Sequence, residues 1–158
     1  MQTENVALAS RLIPPEGNNW GEIAHGRDAE QEFLDRVGPL LHPEFETVWR
    51  HSMVGGESHT GLAATLEALR LVGQAFETLV AVPELYVDLG DRVLVLLIRS
   101  GRTVGGADFS EQGAAVYVIQ DSKLRRMELY AERAVALADA GISADDARER
   151  GVPVAEIG

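Results

Sequence analysis

Three side chains that can transfer or donate a proton fall on strand faces that we expect to be buried. Glu111 and Tyr117 share one face of the alternating stretch from Phe109 to Gln120. His51 lies on the apolar face of "FETVWRHSM". Because side chains alternate along a strand, all three are predicted to point inward. An imidazole, a carboxylate and a phenol facing a water-poor cavity are suited to general acid–base chemistry, so these are the predicted catalytic residues.

Each of the three also has a purely structural interpretation. Glu111 stands near a strand end, where it would be hydrated or paired with an arginine, because unpaired buried glutamate is rare. His51 would be a hydrogen-bonded core histidine, and Tyr117 a packed ring with a satisfied hydroxyl. A carboxylate in an apolar pocket has its pKa raised by desolvation, which favours the catalytic interpretation near neutral pH.

Apolar side chains on the same strand faces are predicted to bind substrate. They share an inward orientation: Trp49, Met53, Phe109, Met127 and Leu129. Such a wall suits a small, largely apolar organic molecule. The segment "IPPEGNNWGEIAHG" is expected either to border this pocket or to be a surface connection.

Other motifs predict neither a metal nor a cofactor. The four histidines, His25, His42, His51 and His59, fall on dissimilar elements without metal-ligand spacing. "GESHTG" lacks the pattern of a nucleophile elbow, and "GRTVGG" lacks the dinucleotide-binding pattern. We therefore expect acid–base chemistry without a cofactor.

Composition excludes several partner classes. The chain has 14 basic and 25 acidic residues, a net charge of −11, so no broad phosphate-binding surface is expected and nucleic acid is not a predicted partner. There is no cysteine, which removes disulfides and thiolate chemistry. The longest apolar run, "VLVLLI", is too short to cross a bilayer. We expect a cytoplasmic protein with no membrane partner.

The order of elements predicts an α+β fold. Helical spacing occurs in residues 4–13, 28–41 and 62–72, and strands follow at 78–89, 93–100, 109–120 and 123–132. Short helices are predicted at 134–140 and between Ser143 and Gly151. Hairpins in place of alternating βαβ units imply a curved, mainly antiparallel sheet.

The length of 158 residues fits one domain. We assign residues 1–142 to it, with an N-terminal helix and loop in 1–27 and the core in 28–142. Residues 143–158 form a short C-terminal helix and tail. The outward face of the long strand carries Ala114, Val116 and Val118, for which no helix except the tail is left as cover, so a homodimer is predicted.

One stretch closely resembles a known family. "AAVYVIQDSKLRRMELYAERAVALADAGI" contains a strand, the turn Asp121-Ser122-Lys123, a strand ending in Tyr130-Ala131-Glu132, and a helix ending at Ile142. With "HPEF" and Gly61, this pattern resembles the SnoaL-like polyketide cyclases of the nuclear transport factor 2-like superfamily over residues 28–142. The chain departs from the family at Ser122, usually glycine, and at Glu132, usually aspartate.

The resemblance implies a cone: a bent sheet wrapped on N-terminal helices, a cystatin-like α+β barrel, around a small-molecule pocket. It implies cyclisation, isomerisation, dehydration or hydration, the work of an isomerase or lyase, or else a non-catalytic binding or dimerisation module. Ketosteroid isomerase chemistry is disfavoured, because Trp49, His51 and Met53 stand on the strand where that family has its catalytic aspartate. Sites resembling limonene-epoxide hydrolase use an Arg-x-Asp on one strand, which this chain lacks.

Overall fold

The computed structural model describes residues 3–50 and 58–157. The N-terminal part contains helices α1 (Glu4–Leu12), α2 (Trp20–His25) and α3 (Arg27–Val37), with the two-residue strand β1 (Asn18–Asn19) between the first two. A 3₁₀ turn (Gly38–Leu40) leads into strand β2 (Leu41–Arg50). After the undescribed residues come β3 (Ser58–Thr60) and helix α4 (Leu62–Gly73).

The second half supplies most of the sheet. Its long strands are β4 (Phe76–Asp88), β5 (Arg92–Thr103), β6 (Asp108–Gln120) and β7 (Lys123–Tyr130). Helices α5 (Arg133–Ala140) and α6 (Ala144–Arg150), the short strand β8 (Val152–Pro153) and a 3₁₀ turn (Val154–Glu156) complete the described chain. The sheet order is β1-β4-β5-β6-β7-β2-β3, with β8 on β4.

The predicted α+β fold, a curled half-barrel sheet with N-terminal helices, is confirmed. Within the described residues every strand pair is antiparallel except β2 with β7. Pro83 has no N–H for the ladder, and the β4–β5 register shifts between Pro83 and Leu85, as expected for a bulge. Ser143 caps α6 by accepting a hydrogen bond from the Asp146 amide at 3.1 Å.

Two local predictions were wrong. The segment before Asp28 is not a plain loop, because it contains β1, paired with β4, and helix α2, whose Asn19 cap accepts a hydrogen bond from the Glu22 amide. The part of "GGESHTG" that the structure describes as Ser58–Thr60 is a strand and not a turn, since it pairs with Glu46–Val48 of β2.

The sheet has an apolar core on each face. The concave face packs on α1, α2, α3 and α4 through residues such as Val95, Ala115 and Tyr117. The convex face carries a second cluster that includes Ala114 and Val116 together with Ala136 of α5 and Ala147 of α6.

This second cluster corrects the reasoning behind the predicted dimer. Ala114 and Val116 are 0% and 2% exposed within the single chain. Helices α5 and α6 cover this face, whereas the prediction counted only the C-terminal tail as cover. Burial of these two residues therefore does not require a second subunit.

Candidate functional site

The concave face encloses a cavity of about 90 Å³. Its wall is predominantly apolar and is drawn from the N-terminal segment, α4 and the five longest strands. The lining residues are Ile13, Trp20, Trp49, Leu69, Val72, Leu79, Ala81, Leu97, Arg99, Glu111, Tyr117, Met127, Leu129 and Ala131. An apolar cavity with a few polar groups is the common form of a small-molecule site.

Five of the predicted site residues meet in this cavity. Glu111 and Tyr117 reach it from β6, Trp49 from β2, and Met127 and Leu129 from β7. The β6–β7 register, which pairs Ala115 with Leu129 and Tyr117 with Met127, brings the two strands together on one face.

The other three predicted residues are Phe109, His51 and Met53. Phe109 packs its ring against Phe76, with the ring centroids 5.2 Å apart, and is not one of the cavity-lining side chains. The observed contact of Phe109 is thus aromatic packing, and its predicted contact with substrate stays a prediction. His51 and Met53 lie outside the described residues.

Glu111 forms an ion pair at the cavity. Its Oε1 accepts a hydrogen bond from Arg99 Nε at 2.9 Å, and the two side chains are 42% and 14% exposed, for glutamate and arginine respectively. An arginine partner for Glu111 was anticipated by one of the two sequence-based interpretations, and the paired carboxylate also lines the cavity.

Arg99 is the site residue that the sequence reasoning missed. It follows Val93, Val95 and Leu97 on the inward face of β5, and the β5–β6 register places it directly opposite Glu111. The signal was available, because positions 99 and 111 are equidistant from Gly105 in the loop "GRTVGGAD" that joins the two strands. Residues opposite each other in such a hairpin form cross-strand pairs.

Gly113 makes room for the arginine. Arg99 extends across β6 and donates from Nη2 to the Tyr130 carbonyl of β7 at 2.5 Å. A Cβ atom at position 113 would overlap the Arg99 guanidinium. Gly101 similarly leaves no space for a side chain, since a Cβ there would overlap the Thr78 carbonyl. Gly101 occupies the position of the aspartate in an Arg-x-Asp arrangement that starts at Arg99. This strand therefore has no space for that aspartate.

Tyr117 supplies a neutral donor deeper in the sheet. The residue is 3% exposed, and burial raises the pKa of its hydroxyl, with a further upward contribution from Tyr86 that Arg36 partly offsets. The phenol therefore keeps its proton at neutral pH and can donate a hydrogen bond to a ligand oxygen.

The N-terminal segment borders the cavity through Ile13 and Trp20, one of the two alternatives that the sequence left open. Tyr86 donates to the Ile13 carbonyl at 2.7 Å. Arg36 of α3 donates to the Arg11 carbonyl at 2.7 Å and to Asn18 Oδ1 at 2.6 Å. These contacts hold the segment against the concave face.

A smaller void of about 30 Å³ lies beyond the main cavity. The two share four lining side chains, Trp20, Leu69, Tyr117 and Met127, so these form the partition between them.

Trp49, 7% exposed, has its Nε1 buried with no hydrogen-bond partner among the described residues.

Residues 3–50 and 58–157 contain neither a metal-binding cluster nor a membrane-spanning helix. No group of three or more histidine and acidic side chains there is arranged to hold a metal ion. No helix of the described chain is long and apolar enough to span a bilayer.

Similarity to known proteins lies at the level of structure. No model of a protein family matches the sequence, and no curated protein matches it. A protein from Jannaschia sp. CCS1 described as a SnoaL-like polyketide cyclase is 21% identical, with a TM-score of 0.64 over 90% of this chain and 94% of that one. TerC, crystallised with polyporic acid, is 20% identical, with a TM-score of 0.63 over 87% of this chain and 98% of TerC.

A third similar structure is a Catenulispora acidiphila protein with a ketosteroid isomerase-like fold, in complex with trimethylamine. It is 17% identical, with a TM-score of 0.57 over 84% of this chain and 97% of that one. At these identities the likeness shows the fold. The chain has the nuclear transport factor 2-like fold, as the resemblance at residues 28–142 predicted.

Proposed function

We propose that the protein binds a small, largely apolar organic molecule in the concave cavity and performs cofactor-free acid–base chemistry on it. The observation that carries this proposal is a carboxylate at an apolar cavity: Glu111 binds Arg99 through Oε1 and is 42% exposed. Its second oxygen is left to accept a proton. The reaction classes that fit are cyclisation, isomerisation, dehydration and hydration.

The polar groups contact opposite ends of the ligand in this proposal. Glu111 and Tyr117 are six residues apart on β6, so at strand rise their Cα atoms are separated by about 20 Å. They are too far apart to act on one bond. Tyr117 therefore anchors a ligand oxygen by hydrogen bonding, and Glu111 transfers the proton near the mouth.

The other predicted site residues keep defined roles. Trp49, Met127 and Leu129 line the cavity and contact the apolar body of the ligand. His51, two residues after Trp49 in the chain, is proposed as the second proton-transfer group. Small ligands are named for two proteins of similar structure, polyporic acid for TerC and trimethylamine for the Catenulispora protein. These names support a ligand-binding role for the fold.

The experiment uses two defined probes. Occupancy of the cavity is measured with neutral N-phenylnaphthylamine, by energy transfer from Trp20 and Trp49, which both line the cavity. Base chemistry is measured with nitrobenzisoxazole: the base removes the carbon-bound proton, the ring N–O bond breaks, and a nitrile-bearing phenolate forms. We expect turnover above the buffer rate, reduced about 10²-fold in Glu111→Gln, at the lower end of the range for loss of a positioned base.

The matched control is Asp108→Asn. Asp108 pairs with Arg102 at 2.9 Å on the same two strands, but 75% of its side chain is exposed. This variant should retain the wild-type rate. Equal rates in Glu111→Gln and the wild type would overturn the role of Glu111. Binding of N-phenylnaphthylamine without turnover would favour the alternative, a non-catalytic binding module.

We propose separately that the protein forms a homodimer, on the basis of the apolar side chains at the edge of the convex face. Half-buried apolar side chains surround the convex cluster, among them Val118, Val135 and Leu137. Contact between two such surfaces would remove them from water. A monomeric mass of the wild-type protein in light scattering would overturn this proposal.

A further inference from the structure

Arg99 is the sole cationic side chain among the described residues that line the cavity. Its surroundings are apolar, with Leu79, Leu97 and Leu129 in the same wall. A guanidinium cannot be neutralised at physiological pH, so its charge is a permanent feature of this wall. In a chain of net charge −11, such a placement is specific to the site and does not follow from general surface charge.

The guanidinium is fixed in position before any ligand arrives. Nε donates to Glu111 and Nη2 donates to the Tyr130 carbonyl, so two neighbouring strands hold it. Gly113 provides the space that it crosses. A donor fixed in this way loses little side-chain entropy when it binds a ligand.

The two contacts leave most of the donor capacity unused. A guanidinium has five N–H groups, and within the described chain these contacts occupy two of them. Glu111 is three times as exposed as Arg99, at 42% against 14%, so water screens its charge more effectively. The positive charge is thus incompletely compensated on the cavity side.

We infer that the ligand is an apolar molecule that carries one acidic group, such as a carboxylate, sulfonate or enolate, whose anion binds Arg99. This inference rests on the cavity being the ligand site, as proposed above. Gly113 is a positioning residue for this recognition, since it acts through the arginine. Charge-assisted hydrogen bonds from arginine to an anion are stronger than those between neutral groups.

The test compares two probes with the same aromatic skeleton. Anilinonaphthalene sulfonate carries an anion, whereas N-phenylnaphthylamine is neutral. Displacement of one probe by the other establishes that they share the cavity. We expect the wild-type protein to prefer the sulfonate, and Arg99→Gln to lose about tenfold in sulfonate affinity while it retains affinity for the neutral probe.

Two further variants test the direction of the effect. Glu111→Gln removes the competing carboxylate and should raise sulfonate affinity. Gly113→Ala displaces the guanidinium and should lower it, with neutral-probe binding unchanged. The control is Arg102→Gln, which removes an exposed arginine from the same hairpin and should change neither affinity.

The outcomes separate this inference from the proposed function. An unchanged sulfonate preference in folded Arg99→Gln overturns the inference, while neutral-probe binding still supports the cavity as a ligand site. Failure of both probes to bind the wild type overturns the ligand site itself. If Arg99→Gln does not fold, Glu111→Gln decides, because a fall or no change in its sulfonate affinity contradicts an anion site at Arg99.

Discussion

The three tyrosines of the chain are all in the interior. Tyr86, Tyr117 and Tyr130 are 0%, 3% and 2% exposed. Burial raises the pKa of Tyr86 and of Tyr117, and raises that of Tyr130 to about 12. In the unfolded chain a tyrosine titrates near 10.

We predict a loss of stability at alkaline pH from these groups. Between the unfolded and folded pKa values the folded state binds more protons, so the free energy of unfolding falls as pH rises above about 10. Below that value their contribution is complete. Urea unfolding at a series of alkaline pH values measures the slope.

Tyr86→Phe is the matched variant for this slope. It removes one titrating group, and with it the 2.7 Å hydrogen bond to the Ile13 carbonyl. The variant should be less stable near neutral pH and should show a shallower decline above about pH 10. A free energy of unfolding that stays constant from about pH 9 to 11 in the wild type would contradict the prediction.

Among elements, the β6–β7 hairpin has a turn that its sequence does not fit well. Asp121 and Ser122 have φ values of 54° and 59°, both in the left-handed region. A two-residue turn with both central φ values positive is of type I′, for which glycine is favoured at the second position. Ser122, where the resembled family usually has glycine, therefore has an unfavourable backbone conformation.

We predict that Ser122→Gly stabilises the protein by about 0.5–1 kcal/mol. Glycine removes the left-handed penalty of about 1–2 kcal/mol, and the greater entropy of the unfolded chain offsets part of that gain. Urea unfolding measures the difference. Ser122→Ala keeps a Cβ and should show no gain, and a Ser122→Gly protein less stable than the wild type would refute the argument.

At the scale of the whole molecule, two valines on the convex face allow the stability of the fold to be tested separately from the association of subunits. Val116 is 2% exposed beneath α5 and α6, whereas Val118, two residues further along the same face, is half-buried at the edge of the cluster. The two positions differ in burial within a single chain but not in residue type.

We predict that lysine has different effects at these two sites. Val116→Lys buries a charge without a partner and should destabilise the fold by more than about 3 kcal/mol. Val118→Lys should remain folded and should shift a dimer to monomer. Circular dichroism and light scattering measure the two effects, and a dimer mass unchanged in Val118→Lys would exclude this edge from the interface.

Much of this architecture follows from local sequence. Alternation along residues 109–120 identified the inward face that carries Glu111 and Tyr117, and Ser143 and Gly151 marked the ends of α6. Pro83 signalled either an edge strand or a bulge, because proline has no N–H to donate to the ladder, and the register shift after it is that of a bulge. These features depend on periodicity, capping and backbone chemistry, which act within a few residues.

The tertiary structure alone decided the features that depend on long-range register. Arg99 meets Glu111 and the Tyr130 carbonyl only once three strands are aligned, and the neighbouring Gly113 gives no sequence signal of the space it provides. Phe109 faces inward as predicted but packs on Phe76, because alternation specifies a face and not a partner. The convex cover likewise depends on how α5 and α6 return to the sheet, which packing determines.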